Sequence, residues 1–259
     1  MKIPDDHPRA ECLKIRERLV EGMKEGVVVP QGLIAHGRGE AFDYLIGEKT
    51  IPPAEEAIRA AAAAFHVHDR PVVSVNGNTA ALCPEDLVEL SETTGAPLEV
   101  NLFHRTEERA RLIAEKLAEA GAGHVLGVEK EHLVRLPEPS SERAVVDERG
   151  IARADMVLVP LEDGDRTEAL KRMGKTVVAI DLNPLSRTAM TADVTVVDNV
   201  IRCIRKITEE YCEMDEREAS EVLSRYDNSR TLAEVLRHIR ERLGRLAHGL
   251  IEGGGEPTP

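Results

Sequence analysis

Residues Lys175–Met190 read Lys-Thr-Val-Val-Ala-Ile-Asp-Leu-Asn-Pro-Leu-Ser-Arg-Thr-Ala-Met. Thr176–Ile180 is a short apolar, β-branched run of the kind that forms a buried parallel strand. It stops at Asp181, and Pro184 forbids an ordinary continuation. Asp181, Asn183, Ser186, Arg187 and Thr188 then crowd into eight residues. In an open α/β sheet, ligands sit outside the carboxyl ends of the strands. A strand that ends in donors, acceptors and one arginine therefore suits a nucleotide or phosphate site. A polar turn capped by Asp181 and Asn183 accounts for the same residues about as well.

Outward from this stretch, strand and helix signals alternate. Pro71–Val75, Pro97–Phe103, His124–Gly127, Ala154–Pro160 and Val194–Asp198 read as further strands, six in all. Amphipathic or alanine-rich helices are expected over Ala10–Lys24, from Ile51 to about His66, from Pro84, from Thr106 to Gly121, and after Asn199. Two more follow, Asp215 to about Tyr226 and Thr231 to about Ile251, the last with a continuous apolar stripe from Leu232 to Leu250. That stripe packs on the domain or on a second subunit. The pattern predicts an α/β, Rossmann-like, doubly wound and mostly parallel sheet with added N- and C-terminal helices. Residues 1–251 are expected as one domain, and 252–259, Glu-Gly-Gly-Gly-Glu-Pro-Thr-Pro, as a disordered tail.

Local signals place several polar groups at the carboxyl edge. Asn76-Gly77 is a hairpin signal between two strands, but here Pro84 opens a helix, so Asn76 and Asn78 belong to a β-to-α loop beside Asp181. Gly37 and Gly39 bracket Arg38 directly after His36. Such glycines allow φ > 0 or a close backbone approach to a ligand, leaving Arg38 projecting from bare main chain as a site residue. A flexible loop ahead of a helix starting near Glu40 is the rival reading. Asp165 and Glu168 match a D-x-x-E cap before Leu170. Glu129–Glu148, with Pro137 and Pro139, reads as an irregular excursion or flap.

The totals exclude several classes of function. The 259 residues carry a formal charge of −13, with no Trp, 3 Phe and 3 Tyr. Nucleic-acid binders present a basic face and, for single strands, aromatic platforms, so none is expected here. An anionic ligand would need a local group of arginines and N–H donors working against the overall field. Cys12, Cys83, Cys203 and Cys212 show no metal spacing and read as free thiols. No apolar run reaches membrane-spanning length and no h-region opens the chain, which predicts a cytoplasmic protein with no membrane partner.

No G-x-G-x-x-G, Walker A or G-x-S-x-G motif is present. The histidines lie in separate elements. Glu162, Asp163 and Asp165 could hold Mg²⁺ beside substrate phosphates, although helix capping explains them equally well, so no protein metal ligand is assigned.

Several stretches together resemble one family. They are His7-Pro-Arg, Gly32–Gly47, Ser74-Val-Asn-Gly-Asn, Asn101-Leu-Phe-His-Arg-Thr-Glu-Glu-Arg, Val159–Leu170, Asp181-Leu-Asn-Pro-Leu-Ser-Arg-Thr-Ala and Val197-Asp-Asn. In this order and spacing they are similar to the archaeal-type 4-phosphopantoate–β-alanine ligases (phosphopantothenate synthetases) of coenzyme A biosynthesis. The resemblance implies a homodimer that condenses 4-phosphopantoate with β-alanine through an acyl-adenylate, releasing AMP and pyrophosphate. ATP is then a co-substrate, with Mg²⁺ carried on the nucleotide. The implied ATP positions are Arg16, Arg38, Asp181, Leu182, Asn183, Arg187, Thr188, Asn199 and Val200. Arg16, Arg38 and Arg187 are candidates to offset phosphate charge, with Arg38 and Arg187 as the catalytic pair. Asn76, Asn78, Asn101 and Arg105 are expected at 4-phosphopantoate, and His36 or His104 could deprotonate the amine. Two rival readings remain, an ATP-dependent transferase or kinase releasing ADP and a non-catalytic nucleotide-binding regulatory dimer.

Overall fold

In a computed structural model, which describes residues 4, 6–7, 9–138 and 141–251, six short apolar runs line up as one parallel sheet. They are β1 (Pro71–Val75), β2 (Leu98–Val100), β3 (Val125–Leu126), β6 (Met156–Pro160), β7 (Thr176–Ile180) and β8 (Val194–Val196). The spatial order is β3-β2-β1-β6-β7-β8, and every neighbouring pair is parallel. The six strands expected are the six observed. Among these six the order reverses between β1 and β6, where successive connections leave in opposite directions. Val73, Val75, Leu158, Val178 and Ile180 pack into the larger core layer. Their neighbours Val72, Val157, Val159, Val177 and Ala179 face the opposite layer, as the two-residue period of a strand requires.

The helices follow the sequence signals closely, with three differences. In chain order they are α1 (Ala10–Lys24), α2 (Pro30–Ile46), α3 (Pro52–Val67), α4 (Gly77–Leu82), α5 (Pro84–Thr94), α6 (Glu107–Glu119), α7 (Gly164–Arg172), α8 (Arg187–Thr191), α9 (Val200–Glu213), α10 (Glu216–Arg225) and α11 (Asn228–Ile251). The alanine run of α3 is fully buried, packed against α9, α10 and β8. Small side chains let the helix axes and the sheet approach closely.

The first difference concerns Gly37-Arg38-Gly39, which lies inside α2 rather than on a loop. Neither glycine has positive φ. The gain is proximity, since a Cβ at Gly39 would already touch Leu182. Second, Asn76 does not open a loop. It caps α4 directly, its side chain accepting from the N–H groups of Asn78 and Thr79. Third, the cap of α7 is Asp163, whose carboxylate accepts from Arg166 N–H, and not Asp165.

The excursion at 129–148 also has structure. β4 (Leu133–Arg135) and β5 (Val145–Asp147) pair antiparallel, and buried polar groups pin them to the main sheet. Glu99 accepts from the N–H groups of Asp147 (2.9 Å) and Ile151 (2.6 Å). The Asn101 amide donates to the carbonyls of Arg143 (3.2 Å) and Val145 (3.0 Å). Fully buried Arg166 donates to the Arg143 carbonyl as well. The 252–259 tail lies outside the described residues. Cys12, Cys83 and Cys203 are buried and Cys212 is exposed, all four free. Among the described residues no helix is long and apolar enough to cross a membrane.

Helix α2 leans across the carboxyl edge and is anchored to α1 by one carboxylate. Glu40 accepts from Arg16 Nε (3.0 Å) and Nη2 (2.6 Å), and from the Tyr44 hydroxyl. Burial pushes the Glu40 carboxyl up, but these donors outweigh it and leave it near about 2 instead of 4.5. A depressed folded-state value stabilises the fold above the unfolded value, so this contribution is complete above pH 4.5 and disappears as pH falls toward about 2. Glu40→Gln should therefore lower the urea midpoint at neutral pH and flatten its acid dependence in that window. A variant whose midpoint falls with acid as steeply as the wild type would assign the acid sensitivity to other carboxylates.

Candidate active site

The segments that follow β1 and β6 part at the strand-order reversal, and between them lies a cavity of about 800 Å³. One buried amide fixes its floor. Asn76 Nδ2 donates to the Pro160 carbonyl at 2.8 Å while its Oδ1 caps α4, so the ends of the two central strands are held at a set separation. Helix α2 forms the roof through Gly32, His36, Arg38, Gly39 and Phe42. Asn78 Nδ2 donates to the Gly32 carbonyl (2.9 Å), tying roof to floor.

On the β7 side, the stretch Asp181–Thr188 forms one wall. Asp181 accepts from Asn183 N–H (2.9 Å) and from the Ser186 hydroxyl (2.5 Å), and Asn183 accepts from Leu185 N–H (2.9 Å). Ser186 then caps α8 by accepting from Ala189 N–H. Burial pushes the Asp181 carboxyl up, opposed by Ser186, Asn183 and the charge of Arg38. Thr188 donates its hydroxyl to the Glu162 carbonyl (3.0 Å), locking this wall to the end of β6. Arg187 pairs with Asp165 (2.8 Å) and Glu168 (2.7 Å) of α7. Arg38 faces the same cavity, and among the described residues no hydrogen bond or ion pair engages its guanidinium.

The opposite wall comes from the ends of β1 and β2 and from the hairpin. It contains Asn78, Phe103, His104, Arg109 and Arg143. Arg143 is 6 % exposed. It bonds Glu162 (2.7 Å) and lies 3.1 Å from Asp163, while Nη1 donates to the Asn101 carbonyl (3.1 Å). Burial pushes Glu162 up, opposed by Arg143 and Arg166. Burial likewise holds His36 below its ordinary value, so its imidazole is neutral at neutral pH.

Of the residues expected from sequence, Arg38, Asp181, Leu182, Asn183, Arg187, Thr188, Asn76 and Asn78 gather around this cavity, as do His36 and His104. Others lie outside its lining. Among the described residues Arg16 reaches α2 through Glu40. Asn199 caps α9 and donates to Asp43 of α2 (3.1 Å), and Val200 is core. Asn101 spends its amide on the hairpin, and Arg105 donates to the carbonyls of Val100 and Gly127. Arg109, Arg143, Gln31, Phe42 and Phe103 were not singled out by sequence. Arg143 sits in a segment without periodicity, and Arg109 in what reads as an ordinary helix start.

The model of the phosphopantothenate/pantothenate synthetase family matches residues 53–242. A 4-phosphopantoate–β-alanine ligase of Thermococcus kodakarensis is 55 % identical over 251 residues, 95 % of either chain. The enzyme of that name from Thermococcus onnurineus is 53 % identical over 97 % of both chains. The Methanosarcina mazei protein is 50 % identical over 95 % of this chain and 97 % of its own. Likeness of this extent, covering the whole sheet and both walls of the cavity, makes the chain a member of the phosphopantothenate/pantothenate synthetase family.

Proposed function

We propose that this chain is the ligase that joins 4-phosphopantoate to β-alanine at the expense of ATP, forming 4′-phosphopantothenate for coenzyme A synthesis. The observation that carries the reading is the cavity at the strand-order reversal, which brings Arg38, Arg187 and the Asp181–Asn183 turn together in a member of this family. ATP lies along the β7 wall. Asp181 and Asn183 face its ribose or adenine edge, and Arg38 and Arg187 offset the phosphates. Arg16 and Asn199 act on the nucleotide side through α2, by the Glu40 and Asp43 contacts, and Val200 follows Asn199 in the core. Asn76 and Asn78 face the second acid, with Asn101 and Arg105 supporting that wall from behind.

A carboxylate is a poor acyl donor, so the reaction runs in two steps. First, a carboxylate oxygen of 4-phosphopantoate attacks the α-phosphorus of ATP. The bond to the β-phosphate breaks, and pyrophosphate leaves with the electron pair. The β-alanine nitrogen then attacks the acyl carbon, the bond to AMP breaks, and the amine proton passes to a base. Arg38 and Arg187 meet charge that grows on the phosphate oxygens during the first step, where fixed guanidinium groups are worth most. His36, neutral and in the cavity roof, takes the proton in the second. Glu162 and Asp163 are spent on Arg143, and Asp165 on Arg187. Mg²⁺ thus fits as an ion carried on the triphosphate, where it neutralises charge, and not as one caged by carboxylates of the protein.

A second copy is expected against the outer half of α11. Its inner half buries Leu232 and Val235, whereas Leu243, Leu246 and Leu250 are 42 %, 39 % and 69 % exposed. An exposed apolar row of this kind suits a homodimer contact.

Arg187→Ala should slow turnover by roughly 10²-fold or more, about 2.7–4 kcal/mol of transition-state stabilisation, with the melting temperature little changed. Loss of folding instead would make Arg187 structural. Labelled pyrophosphate should exchange into ATP when 4-phosphopantoate is supplied without β-alanine. Exchange that needs β-alanine, or ADP as product, would sink the adenylate route, and ATP left unconsumed with both acids present would favour a regulatory dimer. His36→Gln should reduce kcat about 10²-fold while the KM for ATP stays put; unaltered kcat would move proton transfer elsewhere. Leu243→Glu combined with Leu246→Glu should yield monomers in sedimentation equilibrium, and an intact dimer would relocate the interface.

A further inference from the structure

Arg109 occupies a position that local physics disfavours. It is the third residue of α6, where the helix dipole favours anions and where a Thr cap such as Thr106 is normally partnered by Glu or Gln. Its guanidinium is turned inward and fastened by two carbonyls. Nε donates to Val27 (2.9 Å) and Nη1 to His104 (2.8 Å). The nearest main chain of the β1–α4 junction leaves room for it only because residue 77 is glycine, where a Cβ would stand 2.7 Å from Arg109 Nη2. Burial, reinforced by the charge of Arg143, lowers the guanidinium to about 10. Among the described residues no carboxylate pairs with Arg109. Arg143, by contrast, is matched by Glu162 and Asp163.

This is a half-buried cation that the helix, the solvent loss and a neighbouring arginine all oppose, in a chain with a large excess of acids. Among the described residues its third nitrogen, Nη2, carries no hydrogen bond, and Arg109 is part of the cavity lining. A buried charge without a partner is costly, and a bound anion would relieve the cost. On the functional reading above, the nucleotide takes the β7 wall, and of the anionic centres that remain the phosphomonoester of 4-phosphopantoate carries more charge than its own carboxylate or that of β-alanine. We propose that Arg109 holds the phosphomonoester of 4-phosphopantoate, with Arg143 behind it, and that it sets the preference for the phosphorylated acid. The carboxylate of that substrate then points across the cavity toward the α-phosphate.

The test compares wild type, Arg109→Met and Arg109→Lys with ATP and β-alanine, using either 4-phosphopantoate or unphosphorylated pantoate. Arg109→Met should raise the KM for 4-phosphopantoate roughly 100-fold, as expected for losing a charge-assisted bond. The ratio of kcat/KM for the two acids should fall by the same factor, with the KM for ATP within about twofold of wild type. A merely structural role would weaken use of both acids alike and leave that ratio unchanged, which would overturn the proposal, as would a rise confined to the KM for ATP. Should Arg109→Met fail to fold, Arg109→Lys decides, because it keeps the charge but not the fork. A ratio lowered at least severalfold supports the assignment and an unaltered ratio removes it. If wild type ligates neither acid, the functional reading fails separately. Inorganic phosphate then still reports on the subsite, as it should raise the melting temperature of wild type and not of Arg109→Lys, and equal shifts in both would count against it.

Discussion

A single amide holds the centre of this molecule in shape. Where the strand order reverses, the chain leaving β1 and the chain leaving β6 must separate, and a gap opens between two strands that remain hydrogen-bonded below it. Asn76 bridges that gap. It donates to Pro160 on one side and accepts from the first N–H groups of α4 on the other. A buried amide with its bonds made is rigid, and losing either side would strand groups that water cannot reach. The cavity walls diverge from this point, so their separation follows from it.

The second constraint is electrostatic. The chain carries 47 acidic and 34 basic side chains, so a cavity built for anions has to be positive against its surroundings. Most arginines here are neutralised by neighbours. Arg143 lies against Glu162 and Asp163, Arg187 against Asp165 and Glu168, and Arg202 against Asp43 and Asp198. Arg38 and Arg109 are the exceptions at the cavity, one on the roof and one on the wall away from β7. Two uncompensated guanidinium groups on different faces of the cavity suit a reaction between two phosphate-bearing substrates. Arg187, 57 % exposed in its side chain and only held by surface carboxylates, can exchange those partners for a phosphate at little cost.

Much of the fold was legible because the strands are buried on both faces. Such strands read as continuous β-branched runs, and Pro71, Asp181 and Pro184 mark where they begin or stop. A helix cap such as Thr106 acts locally, so it too could be read in place. What failed depended on contacts distant in sequence. Gly37 and Gly39 look like a loop to any local rule, yet α2 continues through them, packed against α11 and α1. The hairpin of β4 and β5 has little pattern of its own and is held by Glu99 and Asn101 at the end of β2 and by Arg166 of α7. Arg143 was hidden with it. Arg109 left a trace, a cation at the wrong end of a helix, which reads as meaningful only once its side chain is seen turned inward.

The central claim is that one crevice, at the reversal of strand order, holds the nucleotide and the phosphorylated acid side by side. A crystal structure with an ATP analogue and 4-phosphopantoate bound together tests this most directly. The triphosphate is expected between Arg38 and the Asp181–Arg187 wall, with the second phosphate against Arg109. A triphosphate found outside the cavity, or one lying along the Arg109 wall, would contradict it.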